Sequence, residues 1–313
     1  MKITIKIIII LILFLGNLYS SPSGLFLSMP GSVKEIGLGK GVIAVDSEID
    51  SVNYNPASLT GVNNFGVSIF YNNQLFGNNY IKSTIVHPLP KGYGSIGINF
   101  TMLNIPITEK FVEGHNEGSE NLNDIGFNLA YQKDFFKNFS IGAVLKYGKI
   151  DLLDYSSSLF GIDIGLLYRI KGEFNIGLKL GNIGIGGKFK EKRESLPSEI
   201  NIGVMYNPAF MDYIKIYAGA GSLKGFGIKN YSIGAEINVL EFKAKNLGGG
   251  LKLDLIEIQG DYNNIVDRGV LGFGINIGVK LKNLNRIEIG YGIDFDIMTT
   301  HLIELKIMMP KLF

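Results

Sequence analysis

Apolar residues alternate with small or polar residues along most of the chain beyond residue 63. Residues 125–131, for example, read I-G-F-N-L-A-Y, and residues 160–168 keep the same two-residue period. Because successive side chains of a strand point to opposite faces, this period predicts β-strands with one apolar face. The other face would carry glycine, asparagine, aspartate, glutamate and lysine.

The alternation divides into fourteen segments. Most are about ten residues long, the length of a tilted membrane-spanning strand. The predicted strands are 64–72, 78–87, 93–103, 122–132, 137–150, 157–170, 173–184, 197–206, 212–221, 229–239, 246–258, 268–281, 284–295 and 300–309. The segment 246–258 keeps the poorest phase. The predicted fold class is all-β, a transmembrane antiparallel up-and-down barrel of about fourteen strands that would occupy residues 64–313.

Two soluble folds would also show alternating strands. A β-sandwich would bury the apolar face against a second sheet, and a propeller would show a blade repeat of about 40–50 residues. The chain has no such repeat, and its tyrosines and phenylalanines gather at strand ends. Together with an even strand count, aromatic residues at strand ends favour an outer-membrane barrel, whose aromatic girdles lie at the two membrane interfaces.

The connections between the predicted strands are unequal in a way typical of such barrels. The longest, 104–122 and 185–196, follow odd-numbered strands, whereas the short connections 171–173 and 283–284 follow even-numbered strands. Outer-membrane barrels have long external loops and short periplasmic turns. The chain ends at Phe313 after an amphipathic strand, which resembles the signal that the outer-membrane barrel assembly machinery recognises.

The first twenty residues predict a signal peptide rather than part of the fold. Lys2 and Lys6 precede the apolar run Ile7–Leu15, and a small, polar stretch follows. This run is too short for a membrane-spanning helix, which needs about 20 apolar residues. Export to the bacterial outer membrane is the expected outcome, and an uncleaved N-terminal anchor is the alternative.

Charge and cysteine content exclude several classes of function. The chain has 30 basic and 28 acidic residues, and removal of Lys2 and Lys6 with the signal peptide would bring the two into balance. A nucleic-acid partner is not expected, because phosphate binding requires a basic excess. Cysteine is absent, so neither disulfides nor thiol chemistry are expected.

No catalytic, metal or cofactor site is predicted. The histidines His87, His115 and His301 lie far apart, and no carboxylate or cysteine spacing around them suggests a metal site. The run Gly39–Ala44 matches part of a dinucleotide-binding fingerprint but lacks the strand–helix–strand context that such a site needs. Some charged residues should face a polar barrel interior, without identifying a substrate. These are Asp163, Lys179, Glu236, Asp294, Glu304 and Lys306.

Residues 21–63 do not have the pattern of a spanning strand. They combine short apolar pieces with turn-forming residues, and their apolar side chains need a surface to pack against. The interior of a fourteen-stranded barrel is wide enough to admit a plug. Within this segment, Pro56 restricts Asn55 to extended backbone, and asparagine can bond its own chain in a turn.

Both ends of the chain resemble the FadL superfamily of outer-membrane transporters, and most closely its PorV/PorQ-type and related uncharacterised branches. In that family a glycine-rich segment leads to an Asn-Pro-Ala motif. The matching residues are Gly39, Gly41, Ala44, Val45, Asp46, Asn53, Tyr54, Asn55, Pro56, Ala57 and Leu59. Lys40 and Ser58 depart from the family pattern, and His301 opens a last strand like that of the branch.

The resemblance implies a non-enzymatic barrel whose residues 21–63 form a hatch inside the lumen. It implies that the hatch gates passive uptake of hydrophobic, fatty-acid-like molecules and that the Asn-Pro-Ala turn pins it to the wall. The implied hatch and gating residues are Asn55, Pro56, Ala57, Gly39, Gly41 and Asp46. Two alternatives stay open: a PorV-like barrel that docks secreted or surface proteins, and a general porin. Besides membrane lipid, the expected partners are therefore a hydrophobic ligand or a docked protein.

Overall fold

A computed structural model describes most of the chain beyond the predicted signal peptide. It covers residues 23–73, 77–107, 111–112, 115–116, 120–152, 155–189, 192–211, 213–223, 228–244, 247–255, 260–261, 272–281, 286–295 and 299–309. The signal peptide predicted over residues 1–20 and the terminal Phe313 lie outside the described residues. None of the helices in the described part is long and apolar enough to cross a membrane.

Nineteen strands occupy the described part of the chain after residue 64. They are β1 Phe65–Asn73, β2 Asn79–Pro88, β3 Ser95–Ile107, β4 Phe111–Val112, β5 His115–Asn116, β6 Glu120–Phe136, β7 Phe139–Leu152, β8 Tyr155–Ile170, β9 Phe174–Ile185, β10 Lys188–Phe189, β11 Lys192–Arg193, β12 Glu199–Tyr206, β13 Ile214–Leu223, β14 Ile228–Ala244, β15 Leu247–Leu255, β16 Gly260–Asp261, β17 Gly272–Leu281, β18 Arg286–Phe295 and β19 Thr299–Met309.

Fifteen of these described strands hydrogen-bond into one antiparallel sheet. The long strands of the sheet follow chain order, and the two-residue β16 pairs with β14. The two-residue strands β4, β5, β10 and β11 stand outside the sheet as two small hairpins. The first long strand also pairs with the last, from Phe65↔Met309 to Asn73↔His301. We call the end of the sheet at which β1 begins the near rim, and the end at which β1 finishes the far rim.

The two faces of the sheet differ in the way that the alternation predicts. On β6, Phe127 is 47% and Leu129 44% exposed, whereas the intervening Asn128 is only 3% exposed. The same pattern places the predicted interior charges Asp163 and Lys306 among the buried residues. The apolar face is therefore open to its surroundings, which is the opposite of a soluble protein.

Residues 23–64, the N-terminal segment, cover the polar face of the sheet, which we call the inner face. The segment consists of short helical turns: Leu25–Ser28, α1 Val33–Leu38, Gly39–Ala44, α2 Ser51–Tyr54 and Pro56–Leu59. Helices of this length are marginal alone, so packing on the sheet must hold them. Ser32 caps α1 by accepting the Glu35 N–H at 3.0 Å, and Glu35 accepts the Gly31 N–H at 2.8 Å.

Several predicted strand bounds are wrong. Residues 104–122 were expected to form one external connection, but β3 continues to Ile107 and β6 already begins at Glu120. The strand predicted over 229–239 extends to Ala244 as β14. At these strand ends, apolar and polar residues no longer alternate. The neighbouring strands still offer backbone partners there, so the strand hydrogen bonding continues.

Candidate functional site

The side chain of Asn55 joins three parts of the backbone. Its Nδ2 donates to the carbonyl oxygens of Ile43 at 2.7 Å and of Leu166, on β8, at 3.2 Å. Its Oδ1 accepts the Ala57 N–H at 3.2 Å, which caps the helical turn that Pro56 begins. Asn55 is fully buried, so these bonds satisfy the polar atoms of a side chain that water does not reach.

Pro56 and Ala57 press their backbone against two glycines of the sheet. A Cβ on Gly142 of β7 would overlap the carbonyl of Pro56, and one on Gly165 of β8 would overlap the Asn55 side chain. The two glycines are direct register partners across β7 and β8. Only glycine allows two backbones to approach so closely, which explains the residue type at both positions.

This close approach continues across six neighbouring strands. On β9, β12, β13 and β14, further inner-face glycines lie against the backbone of residues 37–44. We call the six residues the glycine track: Gly142, Gly165, Gly177, Gly203, Gly219 and Gly234. The N-terminal segment therefore rests on the sheet backbone to backbone over almost half of the long strands.

The other residues implied as hatch residues have unequal surroundings. Gly41 donates its N–H to Ser232 Oγ at 3.2 Å and lies against Tyr217, where a Cβ would not fit. Gly39 has a φ of 52°, in the left-handed region that favours glycine. Asp46 is half-buried, and among the described residues its side chain has no hydrogen bond or ion pair. The structure therefore brings Gly39 and Gly41 to the site and leaves Asp46 out.

Inner-face side chains donate to carbonyls of the N-terminal segment. Asn175 Nδ2 reaches the Ala44 carbonyl oxygen at 3.1 Å, and Lys179 Nζ reaches that of Asn53 at 3.1 Å. Carbonyls at the ends of such short turns lack partners within the helix. The sheet supplies the missing donors. Folding of the short turns and their packing on the inner face therefore depend on each other.

A balanced charge network lines four neighbouring strands. Lys146 contacts Asp163 at 2.7 Å, and Lys179 contacts Asp163 at 3.3 Å and Glu199 at 2.5 Å. All four are buried, and their charges neutralise one another as burial requires. Asn182 extends the network, since it accepts from Lys146 at 2.7 Å and donates to Ser28 Oγ at 2.7 Å.

A second charged group connects the N-terminal segment to the other side of the sheet. Lys306 of β19 lies 2.8 Å from Asp50 and 3.3 Å from Glu48, and Lys34 of α1 also pairs with Glu48. Burial, reinforced by Glu48, raises the pKa of the neighbouring Tyr54 phenol well above its usual value. Tyr54 therefore stays neutral at physiological pH.

The N-terminal segment is also fastened where it leads into β1. Thr60 Oγ1 donates to Asp134 Oδ1 at 2.8 Å and accepts from Arg169 Nη1 at 2.8 Å. Arg169 lies 3.5 Å from Asp134, which completes a three-residue contact at the near rim. This contact fixes the C-terminal end of the segment to β6 and β8.

An apolar cluster lies toward the far rim of the inner face. Its largest members are Phe26 and Leu27 of the N-terminal segment with Phe70, Tyr80, Leu159 and Leu302 of the sheet. Beside it, Lys82 donates to the Met29 carbonyl at 2.7 Å, and its Nζ lies 5.4 Å from the centre of the Tyr80 ring. Lys82 is buried, and within the described part of the chain no carboxylate forms an ion pair with it.

Sequence reasoning missed the glycine track and Lys82. The signal for the track was present, because its glycines fall in the polar phase of the alternation, where a side chain would point inward. The six glycines lie on six different strands, however, and the surface that they form exists only after those strands pair. Lys82 was not singled out, because its hydrogen-bond acceptor, the Met29 carbonyl, is distant in sequence and reaches it only in the folded chain.

The described side chains include no group of three or more histidine, cysteine, aspartate or glutamate residues that could hold a metal ion.

Comparisons with known proteins show likeness in fold without likeness in sequence. No protein-family model matches the chain, and no curated protein sequence matches it. The structure is similar to that of a Pseudomonas aeruginosa FadL homologue, with a TM-score of 0.54 and 10% identity over 90% of this chain and 98% of that one.

Two solved toluene transporters are similar to the same extent. TbuX of Ralstonia pickettii gives a TM-score of 0.57 at 12% identity over 91% of this chain and 100% of that one. TodX of Pseudomonas putida gives 0.56 at 9% identity over 90% and 97%. The fold is therefore similar to that of the FadL homologue and of the two toluene transporters.

Proposed function

We propose that this chain is an outer-membrane barrel for passive uptake of hydrophobic, fatty-acid-like molecules, gated by residues 21–63 as a hatch. The observation that carries the proposal is the N-terminal segment seated across the glycine track. A segment that covers the inner face of a closed barrel blocks the passage of molecules through it. Transport therefore requires the segment to move. The fold likeness to a FadL homologue and to two toluene transporters supports a hydrophobic cargo and a non-enzymatic role.

The barrel itself is part of the proposal. Closure is supported by the pairing of β1 with β19 and of β13 with β14, which leaves each long strand with two neighbours. Among the described residues, fourteen strands are longer than two residues, which supports the proposed strand count. Export by the signal peptide over residues 1–20 and insertion by the barrel assembly machinery complete this proposal for residues 64–313.

Closure has a direct test. The purified protein in detergent should migrate faster in gel electrophoresis when unheated than when boiled, because a closed barrel stays compact without heating. Circular dichroism before and after boiling provides the control, since the loss of strand signal must accompany the change in migration. Equal migration of the two samples would contradict the closed barrel.

The far-rim cluster supports a ligand that carries a carboxylate. An alkyl chain could replace Phe26 and Leu27 in the apolar cluster. Lys82 donates at present to the neutral Met29 carbonyl, and a carboxylate would be a stronger acceptor for its ammonium group. A neutral aromatic hydrocarbon would offer the buried Lys82 amine no acceptor in place of the Met29 carbonyl, which is why we favour fatty-acid-like molecules.

Lys82→Met should therefore weaken binding of palmitate at least about tenfold, since a hydrogen bond to a charged group contributes about 1.5–3 kcal/mol. Methyl palmitate should bind the variant and the parent protein equally, because the ester has no charge to lose. Calorimetry with protein in a short-chain detergent measures both, and Lys149→Met, a half-exposed lysine paired with Asp151 at 3.0 Å, is the matched control. Absence of saturable binding to an intact barrel would overturn the uptake proposal.

The closeness to the PorV/PorQ-type branch, the docking of secreted or surface proteins and a general porin remain predictions from the sequence. Among these, swelling of liposomes in small sugars by the unmodified protein would favour the porin, because a seated hatch prevents free diffusion.

A further inference from the structure

The first and last long strands of the sheet meet along a seam. β1 and β19 pair over their full shared length, although they lie at opposite ends of the described barrel sequence. Contacts between such distant residues carry the largest loop-closure cost and form late in folding. Until they form, each strand exposes an unpaired edge, which is a site for aggregation. Anything that brings β19 to β1 therefore favours correct assembly.

Residues 48–50 of the N-terminal segment lie across this seam. The Ile49 side chain packs against Gly66 of β1, where no Cβ would fit. On the other side of the seam, Lys306 of β19 contacts Asp50 at 2.8 Å and Glu48 at 3.3 Å. Lys306 is the register partner of Ser68 of β1, so these contacts lie at the joint itself. One three-residue stretch thus holds both strands.

The charges at the seam are buried together. Lys306 is 2%, and Asp50 and Glu304 are each 1% exposed. β19 supplies only Glu304, 3.4 Å from Lys306, whereas the two shorter contacts come from Glu48 and Asp50. A buried ammonium group requires such partners. On the sheet side, Glu288 of β18 is the register partner of Lys306. Residues 48–50 add the two contacts that only the N-terminal segment can supply.

The position of the segment in the chain suits a role in closure. It directly precedes β1, and Thr60 binds Asp134 and Arg169 of strands that lie away from the seam. If this contact forms before closure, it places residues 48–50 beside the free edge of β1 while β19 is still unpaired. A tethered binding group raises the effective concentration of its partner, here Lys306, at that edge.

We infer that Glu48, Ile49 and Asp50 form a clasp that captures Lys306 of the last strand and promotes closure of the barrel. This gives the N-terminal segment an assembly function in addition to gating. The inference rests on the proposed closed barrel but not on the identity of any ligand. Lys34, Glu236 and Lys215 extend the clasp toward β13 and β14, through contacts of 3.3 Å between Lys34 and Glu236 and 3.9 Å between Lys215 and Glu236.

The test follows closure during refolding of the full chain into vesicles of a short-chain phosphatidylcholine. Samples taken over time are run unheated, and the fast-migrating band measures the closed fraction. The double variant Glu48→Gln, Asp50→Asn keeps the size of both side chains and removes their charge. We expect it to close at least about tenfold more slowly, because one of the closing contacts loses its attraction.

Two further variants separate the clasp from a general folding defect. Asp46→Asn removes an acidic charge from the same segment that has no ion pair among the described residues, and it should close at the parent rate. Lys306→Met completes a double-mutant cycle: it should slow closure of the parent protein, but slow it much less when added to the double variant, because the contact is already lost there. Parent-like closure of the double variant, or an equal effect of Lys306→Met in both backgrounds, would overturn the clasp. Absence of a fast band in the parent protein would instead contradict the barrel.

Discussion

Gly177→Ala combined with Gly219→Ala is expected to unseat residues 40–44 and open the barrel while leaving its wall intact. A methyl group on Gly177 would overlap the Ile43 carbonyl, and one on Gly219 would overlap the backbone between Lys40 and Gly41. Neither backbone can rotate away as a side chain would. Each overlap should cost about 1–3 kcal/mol, so each shifts the equilibrium between the seated and the unseated segment by about five- to 150-fold. Sugar-driven swelling of liposomes should rise accordingly.

The matched control is Gly161→Ala on β8. It makes the same chemical change on the inner face, but the new methyl group would meet Leu196 Cδ1 at 3.1 Å and the Asn182 Cα at 3.8 Å. The flexible tip of a leucine can move, so swelling should stay at the parent level. Equal swelling of liposomes with either variant would show that the glycine track does not hold the N-terminal segment in place. Loss of the heat-dependent migration in the double variant would also contradict the prediction.

Asn55→Ala is expected to loosen the hatch through the loss of hydrogen bonds rather than through overlap. The change removes the donors to the Ile43 and Leu166 carbonyls and the acceptor for the Ala57 N–H. Groups that are left buried without partners cost about 1–3 kcal/mol each. We therefore expect residues 37–60 to exchange amide hydrogens at least about tenfold faster, while the strands keep their protection.

The comparison variant is Asn63→Ala, an asparagine of the same segment whose Nδ2 donates to the Gly61 carbonyl at 2.9 Å in an exposed position. Water can replace that bond, so the rates of amide hydrogen exchange in residues 37–60 should stay at the parent level. Asn55→Asp tests the mechanism further, because it keeps the acceptor for Ala57 and loses the two donations. Loss of barrel assembly in Asn55→Ala would make the Asn-Pro-Ala turn a folding element and remove it from the gating argument.

The candidate site was only partly predictable. Asn55 and Pro56 were identifiable because an Asn-Pro pair has local turn chemistry, which acts within a few residues. The partners of Asn55 on the sheet were not, since Leu166 is distant in sequence and only the register of β8 brings its carbonyl near. Asp46 was included through resemblance alone, and no described contact involves its side chain in the site.

The sequence by itself determined where most strands lie, that each has one apolar and one polar face, and that the N-terminal segment is not part of the sheet. These features follow from the two-residue period and from turn residues, which act locally along the chain. Only the tertiary structure decided which side chains face one another. The glycine track needs six strands paired side by side, and the buried pair of Lys306 and Asp50 joins the last strand to the N-terminal segment. Such surfaces depend on the exact register of the strands and on how the N-terminal segment folds onto them. The alternation sets neither, because a slip of two residues leaves both faces of a strand unchanged.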